Sequence, residues 1–533
     1  MAAKQQLDPS YNRLEERYMR IPESHDAKPG EERFQVDLLV GNLAFFYEKL
    51  RNAIDFKEEH LLRKNAIERF LRRRLVIEHN KKNLGHELID ELIRGRYLPN
   101  NKLPMALSER VDRVVDRYLA VFDQLTGQTS WGERFDLRDW MLSIAATEVE
   151  QLLAPPVKSD ALVEYVFGQV NGVVEIAGNY PKVEKELQLY LAIHRSLIRS
   201  DEAILRYHLF TFFVPDWIER DPSTAKMIVG QIRELKMRVE HNINHPLTDP
   251  LHRRMKRYAT YFLILRDILE KYGDNTRQIF EDPDKLTIAV SEASRERYQR
   301  VRSRVGRIIV RSIIYLFLTK FVLAFLIELP YDLFFLSEIR WTPLIVNAIF
   351  HPTLLFLIGI LISIPGKKNT AKILSGLRGL LYPADQNVIQ NELHLPIRRF
   401  SPLANRFFLG FYTILFILSF GLVGSGLMRL GFNWVSGVLF LFFLSLVSFF
   451  GMKVRAEVEE LYVTKRRENI FSLLLNLFAL PVVQVGHWLS KKIPRFNILT
   501  FILDFVIEAP FKTLVKVLEE WFAFIKEKRE EIS

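Results

Sequence analysis

Hydrophobic positions divide the chain at about residue 300. Before it, apolar residues recur three and four apart within polar stretches; after it, they fuse into runs long enough to cross a bilayer. Val36, Leu39, Leu43, Phe46, Leu50 and Ile54 make one such stripe, which predicts a helix with a single packing face. Ser108 ahead of ERVDRVVDRYLAVF, Ser159 ahead of DALVEYVFGQV and Ser200 ahead of DEAILRYHLF offer side-chain oxygens to helix N-termini. Asp221-Pro222, Asp249-Pro250 and Asp282-Pro283 add a cap followed by a proline whose missing amide would have had no partner. Alternating strand patterns are scarce. The chain is therefore expected to be all-α, with two cytoplasmic helical subdomains at 34–155 and 156–299 and a seam at Ala154-Pro155-Pro156-Val157. Residues 1–33, with Pro9, Pro22, Pro29 and Gly30 among charges, read as a mobile polar leader.

Four runs reach the roughly 20 residues a helix needs to cross about 30 Å of hydrocarbon. They are 308–329, 343–364, 407–428 and 435–452, within a membrane domain of 300–452. Arg300, Arg302, Arg304, Arg307 and Arg311 form a ladder ahead of the first run, and Lys367, Lys368, Lys372 and Arg378 follow the second. The loop between them carries Glu328, Asp332 and Glu338 against Arg340. Arg398, Arg399 and Arg406 precede the third run, and Lys453 and Arg455 follow the fourth. Basic residues stay on the cytoplasmic side. The expected topology is two antiparallel hairpins in a plasma (inner) membrane, with the arginine ladder as anchor and both termini cytoplasmic. The N-terminus lacks the apolar core of a signal peptide.

Gly421, Gly424, Ser425 and Gly426 on the third run, and Ser436, Gly437, Ser445 and Ser448 on the fourth, predict close contact between these two spans. Residues 453–533 are expected to associate with the membrane. Within them, 470–511 reads either as a weak pair of spans, broken by Pro481, Asp504 and Glu508, or as a hairpin in the inner interface, and the hairpin is favoured because Lys491 and Lys492 would face outward if the segment crossed. Phe511, Leu514, Leu518, Trp521 and Ile525 stripe a C-terminal amphipathic helix suited to a membrane surface or another chain.

Composition adds exclusions. The net charge of +11 is explained by the basic flanks, so the lipid bilayer and protein partners are expected, and nucleic acid is not. Self-association is a further expectation, because so few spans enclose little. With no cysteine, disulfides, thiolate metal sites and a cysteine nucleophile are excluded. GxxxxGK[ST], GxGxxG after a strand and GxSxG are all absent. No catalytic residue and no cofactor are assigned.

Four features could still carry chemistry. HNINHPLTDPLHRR holds His241, His245, Asp249 and His252, types that bind metals, but Pro246 and Pro250 interrupt it, and a polar turn is the plain alternative. GHELID has Asp90 where a metalloprotease helix needs its second histidine. Arg72, Arg73 and Arg74 could meet phosphate or anionic lipid, yet Glu58, Glu59 and Glu68 dilute them into a solvated face. Lys320 is the sharpest feature. A lysine at mid-depth needs a partner or an aqueous cavity, and Glu328, Asp332, Asn347 and His351 are the candidate partners, with Pro352 freeing a carbonyl beside the imidazole. The leading functional expectation is a membrane protein whose cytoplasmic helical domain is a scaffold or regulatory platform. The alternatives are a transporter or channel subunit built on the Lys320 group, and a membrane-bound metalloenzyme built on the three histidines.

Overall fold

A computed structural model describes residues 7–19, 27, 29–36, 45, 48–49, 58–77, 83–125, 131–174, 180–382, 402–464 and 470–492, together with 517, 521, 524–525 and 528. It is helical, and no strand occurs among the described residues. Contacts divide the chain into two compact units, one mainly of residues 9–172 and 179–255, the other mainly of residues 256–498.

The first unit contains α1 (Pro9–Met19), α2 (Glu59–Arg72), α3 (Leu84–Arg94), α4 (Leu107–Leu125), α5 (Trp131–Leu153), α6 (Val157–Val170), α7 (Lys182–Ile193), α8 (Glu202–Phe213) and α9 (Ile232–Ile243). Each buries a stripe. In α4 the buried positions include Leu107, Val111, Val114, Tyr118, Val121 and Leu125, the three-and-four spacing of one helix face. Ile67, Ile89, Val111, Met141, Phe210, Trp217 and Val239 are fully buried in one common core, each apolar side chain contributing roughly 1.5–3 kcal/mol. The break at residues 154–156 joins α5 to α6 inside this unit.

Three expectations change here. Residues 9–19 are not a loose leader: α1 buries Tyr11, Leu14 and Tyr18 and packs on α6, with Gln169 Nε2 donating to Ser10 Oγ at 2.7 Å. The flanking prolines bracket this short helix, and its three apolar residues were hidden among charges. The cap of α8 is Asp201 and not Ser200; its carboxylate accepts from Ile204 N at 3.1 Å. Ser108 and Ser159 fall inside the first turns of α4 and α6. The helix expected over 36–54 lies mostly outside the described residues, as does most of the C-terminal helix.

The second unit holds most of α10 (Thr248–Tyr272), then α11 (Pro283–Leu323), α12 (Trp341–Leu361), α13 (Lys367–Leu381), α14 (Pro402–Arg429), α15 (Trp434–Glu459) and α16 (Ile470–Lys492). Asp282 caps α11 as the cap-then-proline pattern predicts, accepting from Asp284 N at 3.0 Å and Lys285 N at 3.3 Å. Helical structure continues beyond α11 through two π turns, Ala324–Glu328 and Asp332–Leu336. Four helices, Pro283–Leu336, Trp341–Leu361, Arg406–Arg429 and Trp434–Glu459, are long and apolar enough to cross a membrane. Along their apolar runs the exposed side chains are largely apolar, Leu318, Ile360, Phe407 and Ile417 among them, which suits lipid and not water.

The small residues act differently from expectation. A Cβ added at Gly421, Gly424, Gly426 or Gly437 would meet nothing within 4 Å, so these glycines do not hold α14 against α15. Close approach occurs at Gly359, whose added Cβ would lie 2.7 Å from Ile309, at Gly451, 2.8 Å from Ile358, and at Gly486, where it would collide with the Ser445 carbonyl. Small residues mark where a backbone can come near; they do not name the helix that comes. Here α16 packs on both α14 and α15, with Ser419 Oγ donating to Phe478 O at 3.0 Å and the His487 ring tilted against Phe449, centroids 5.2 Å apart. Residues 470–492 thus contact two of the apolar helices within their lengths, a packing that neither reading of this segment specifies. The other half of that hairpin lies outside the described residues.

Candidate functional site

The two π turns make the site. A π turn is one residue wider than an α turn and rotates the side chains beyond it to a new face; Glu328 ends the first and Asp332 begins the second, and both carboxylates are buried. Lys320 Nζ donates to Asn347 Oδ1 at 2.6 Å, and Asn347 Nδ2 donates to Glu328 Oε1 at 2.9 Å. The amide can face only one way, because the ammonium has no acceptor and the ionised carboxylate no donor. Asn347 is therefore a relay between a buried cation and a buried anion. The ammonium also lies 4.1 Å from the centroid of the Phe443 ring on α15, a cation–π contact.

Asp332 is held separately. Its Oδ1 accepts from Asn433 Nδ2 at 2.8 Å and its Oδ2 from Arg340 N at 3.2 Å. Asn433 in turn caps α15 by accepting from Ser436 N at 2.8 Å. His351 sits one turn from Asn347 with Nδ1 3.2 Å from Asn347 O and Nε2 3.0 Å from Phe440 O. A neutral imidazole carries one N–H and can serve one of these carbonyls; an imidazolium serves both. Lys320, Glu328, Asp332, Asn347 and His351 are each at most 2% exposed.

The structure brings all five residues into one region spanning the extension of α11, α12 and α15. The α15 side, Asn433, Ser436, Phe440 and Phe443, was not foreseen. Asn433 stands directly before an apolar run and was legible as a helix cap, but nothing in the sequence pairs it with Asp332. Two buried atoms, Glu328 Oε2 and Ser436 Oγ, make no hydrogen bond although the residues interact.

The other candidates disperse. His245 Nε2 pairs with Glu184 at 2.6 Å and its Nδ1 accepts from Leu247 N, so the residue ties the α9–α10 turn to α7. His241 lies beside it, 5.8 Å between ring centroids, and His252 is on α10. Among the described residues no group of three or more histidine, aspartate or glutamate side chains is placed to hold a metal ion. Arg72, Arg73 and Arg74 pair with Glu68, Glu91 and Glu87. In the ladder, Arg300 bonds Asp267 at 3.1 Å and Arg307 donates to Ser303 Oγ at 2.5 Å, while Arg302, Arg304 and Arg311 are exposed.

The first unit has buried chemistry of its own that the sequence did not single out. Glu148 accepts from Tyr118 OH at 2.6 Å and Trp217 Nε1 at 2.9 Å and pairs with Arg117. Burial raises its carboxyl above the ordinary range despite the pull of Arg117, and burial raises the Tyr118 phenol as well. Nearby, a cleft of about 610 Å³ is lined by His60, Arg63, Glu150, His194, Ser200 and His208. His194 and His208 lie ring against ring, tilted at 48° with centroids 4.5 Å apart. Desolvation, with the second ring adding to it, pushes His194 well below the usual histidine range, and burial pushes His208 down to about 4.

No protein-family model, curated protein or solved structure matches the chain.

Proposed function

We propose that this chain is a membrane-embedded scaffold or regulatory protein whose helical unit of residues 9–255 lies on the cytoplasmic side and engages a protein partner. The observation that carries this reading is the closure of the intramembrane cluster. Lys320, Asn347, Glu328 and Asp332 spend their polar atoms chiefly on one another and on neighbouring helices, and their near-zero exposure supports a closed cluster. A buried network of this kind fixes helix register, the best attested role of buried polar groups. The large apolar core of the 9–255 unit then supplies a rigid platform, and exposed Met227 and Met237 are contact points suited to a partner. A photo-crosslinker at either position in living cells should give a discrete adduct with a different protein. Crosslinking to nothing but lipid at both positions sinks the reading.

The transporter reading keeps one specific support: Glu328 Oε2 and Ser436 Oγ are buried without a hydrogen bond, and His351 faces two acceptors. It is decided in proteoliposomes loaded with a pH-sensitive dye. The scaffold reading expects proton leak no greater than in protein-free vesicles, whereas a potential-driven flux abolished in K320M/E328Q establishes transport.

A further inference from the structure

We propose that the groove between the N-terminal half of α11 and the start of α13 is a binding site for one anionic phospholipid, whose headgroup phosphate is held by Arg295, Arg302 and Lys367. The inference holds for either functional reading, since it requires only that the chain sits in a membrane. The groove has a volume of about 620 Å³. Its floor is largely apolar, with Ile364, Pro365, Ala371 and Leu374 along it, and its rim carries the three cations.

What distinguishes these cations is that they are not neutralised. On neighbouring faces of the same helix, Arg297 and Arg300 bond Asp267 at 2.6 and 3.1 Å. Glu292, the carboxylate lining the groove, is already taken by Lys271 Nζ at 3.0 Å and Tyr272 OH at 3.0 Å, and those bonds hold its carboxyl below the ordinary range. Arg295 acts on it only as a more distant charge. Among the described residues, Arg295, Arg302 and Lys367 form no ion pair or hydrogen bond, and all three are exposed. The groove thus keeps a surplus of positive charge over an apolar floor.

Backbone geometry adds to this. α13 starts behind Gly366 with no side-chain cap and Asn369 N turned back to Gly366 O, so of the first turn the amides of Lys367 and Lys368 are left for a ligand at the groove. Behind them the wall is rigid: Asn369 Nδ2 donates to Tyr298 OH at 2.9 Å, tying α13 to α11. The level is that of a headgroup. α12 ends at Leu361, three residues before the groove begins at Ile364. Arg302 precedes the apolar run of α11 at Ile308 by six residues, about 9 Å of helix. A phosphate on the rim would leave an acyl chain free to follow Ile364 towards the hydrocarbon, with Leu374 closing the far end of the floor, since Arg378 lies against Thr287 and Asn369 against Tyr298. Basic pockets beside the ends of spans recognise anionic headgroups in this manner.

The test uses the full chain purified in neutral detergent, with native mass spectrometry reading bound lipid after titration with phosphatidylglycerol or, separately, phosphatidylcholine. One tightly bound phosphatidylglycerol is expected, with at least tenfold preference over phosphatidylcholine. R295Q/R302Q/K367Q should lose it at least tenfold, while R304Q/R307Q/R311Q, an equal change in net charge outside the groove, should keep it. A371W, which fills the groove and leaves every charge in place, should also lose the lipid while the thermal transition of the protein stays where it was. Equal losses from the two triple variants would overturn the proposal in favour of diffuse attraction. Retention by A371W would overturn it too. Inorganic phosphate displacing the lipid at comparable concentration would assign the site to a soluble phosphate instead and so reject the lipid.

Discussion

At the scale of the residue, the informative group is Lys320, because a buried charge is costly enough to demand an answer. The sequence supplied the demand and its candidates: residue types able to neutralise an ammonium within reach of mid-depth. It could not supply the Asn347 relay geometry, since that depends on π turns that no spacing rule anticipates. Removing one end of the relay leaves the other buried and unpaired, which costs about 3–5 kcal/mol, whereas removing both can be close to neutral. K320M should therefore lower the thermal midpoint in detergent much more than K320M/E328Q does. Equal or greater loss in the double variant would show that the pair is not coupled. His194 and His208 were missed for the opposite reason. Isolated histidines in amphipathic helices carry no signal until the fold sets them side by side, and their titration then becomes a property of the fold. Both stay neutral in the folded unit, while in the unfolded chain they take up protons near pH 6.5. The unfolded state binds more protons below that point, so their contribution is unimpaired above about 6.5 and stability falls as pH drops towards 4. For His208 the loss by pH 5 is roughly 1–2 kcal/mol. The midpoint of H208N should shift less between pH 7 and pH 5 than that of the natural chain, and an identical shift would remove His208 from the account.

At the scale of the element, the four apolar helices were legible in number and order, because bilayer thickness sets a length that a sequence can be measured against; the second and third nearly match their apolar runs, while the first begins at Pro283 and the fourth runs on to Glu459, well beyond theirs. The packing around them was not. Tyr11, Leu14 and Tyr18 of α1 are three positions in a charged segment, too few to outweigh its prolines until α6 is there to receive them. The glycines of α14 invited a close packing that Gly359, Gly451 and Gly486 perform instead. This difference is measurable. A Cβ at Gly376 would run into the ring of Tyr261 on α10, a buried side chain with no room to retreat. G376A should therefore cost roughly 1–3 kcal/mol as overpacking and lower the thermal midpoint visibly. G424A, pointing into open space, should leave it in place. If G424A proved the more damaging substitution, the α14 glycines would be contact surface after all.

At the scale of the whole molecule, the question is which side each unit faces, and the charge pattern makes a definite claim. Arginines crowd the approach to the first span and lysines the exit from the second, while Glu328, Asp332 and Glu338 occupy the link between them. Translocating that many guanidinium groups would be unfavourable, so the proposed orientation has the link cross and the rest stay. The absence of cysteine lets single cysteines report this without prior replacements. Glu338 and Met227 are exposed, and Ser436 is buried beside Glu328, where a cysteine is nearly its own shape. A membrane-impermeant maleimide should label E338C in intact cells, M227C only after permeabilisation, and S436C under neither condition. Labelling of S436C would mean that water reaches the polar cluster, and the closed network would have to be read as one state of a pathway. Labelling of M227C from outside would invert the molecule: the 9–255 unit would meet its partners beyond the cell, and the Arg295–Lys367 groove would open on the outer leaflet, among a different set of lipids.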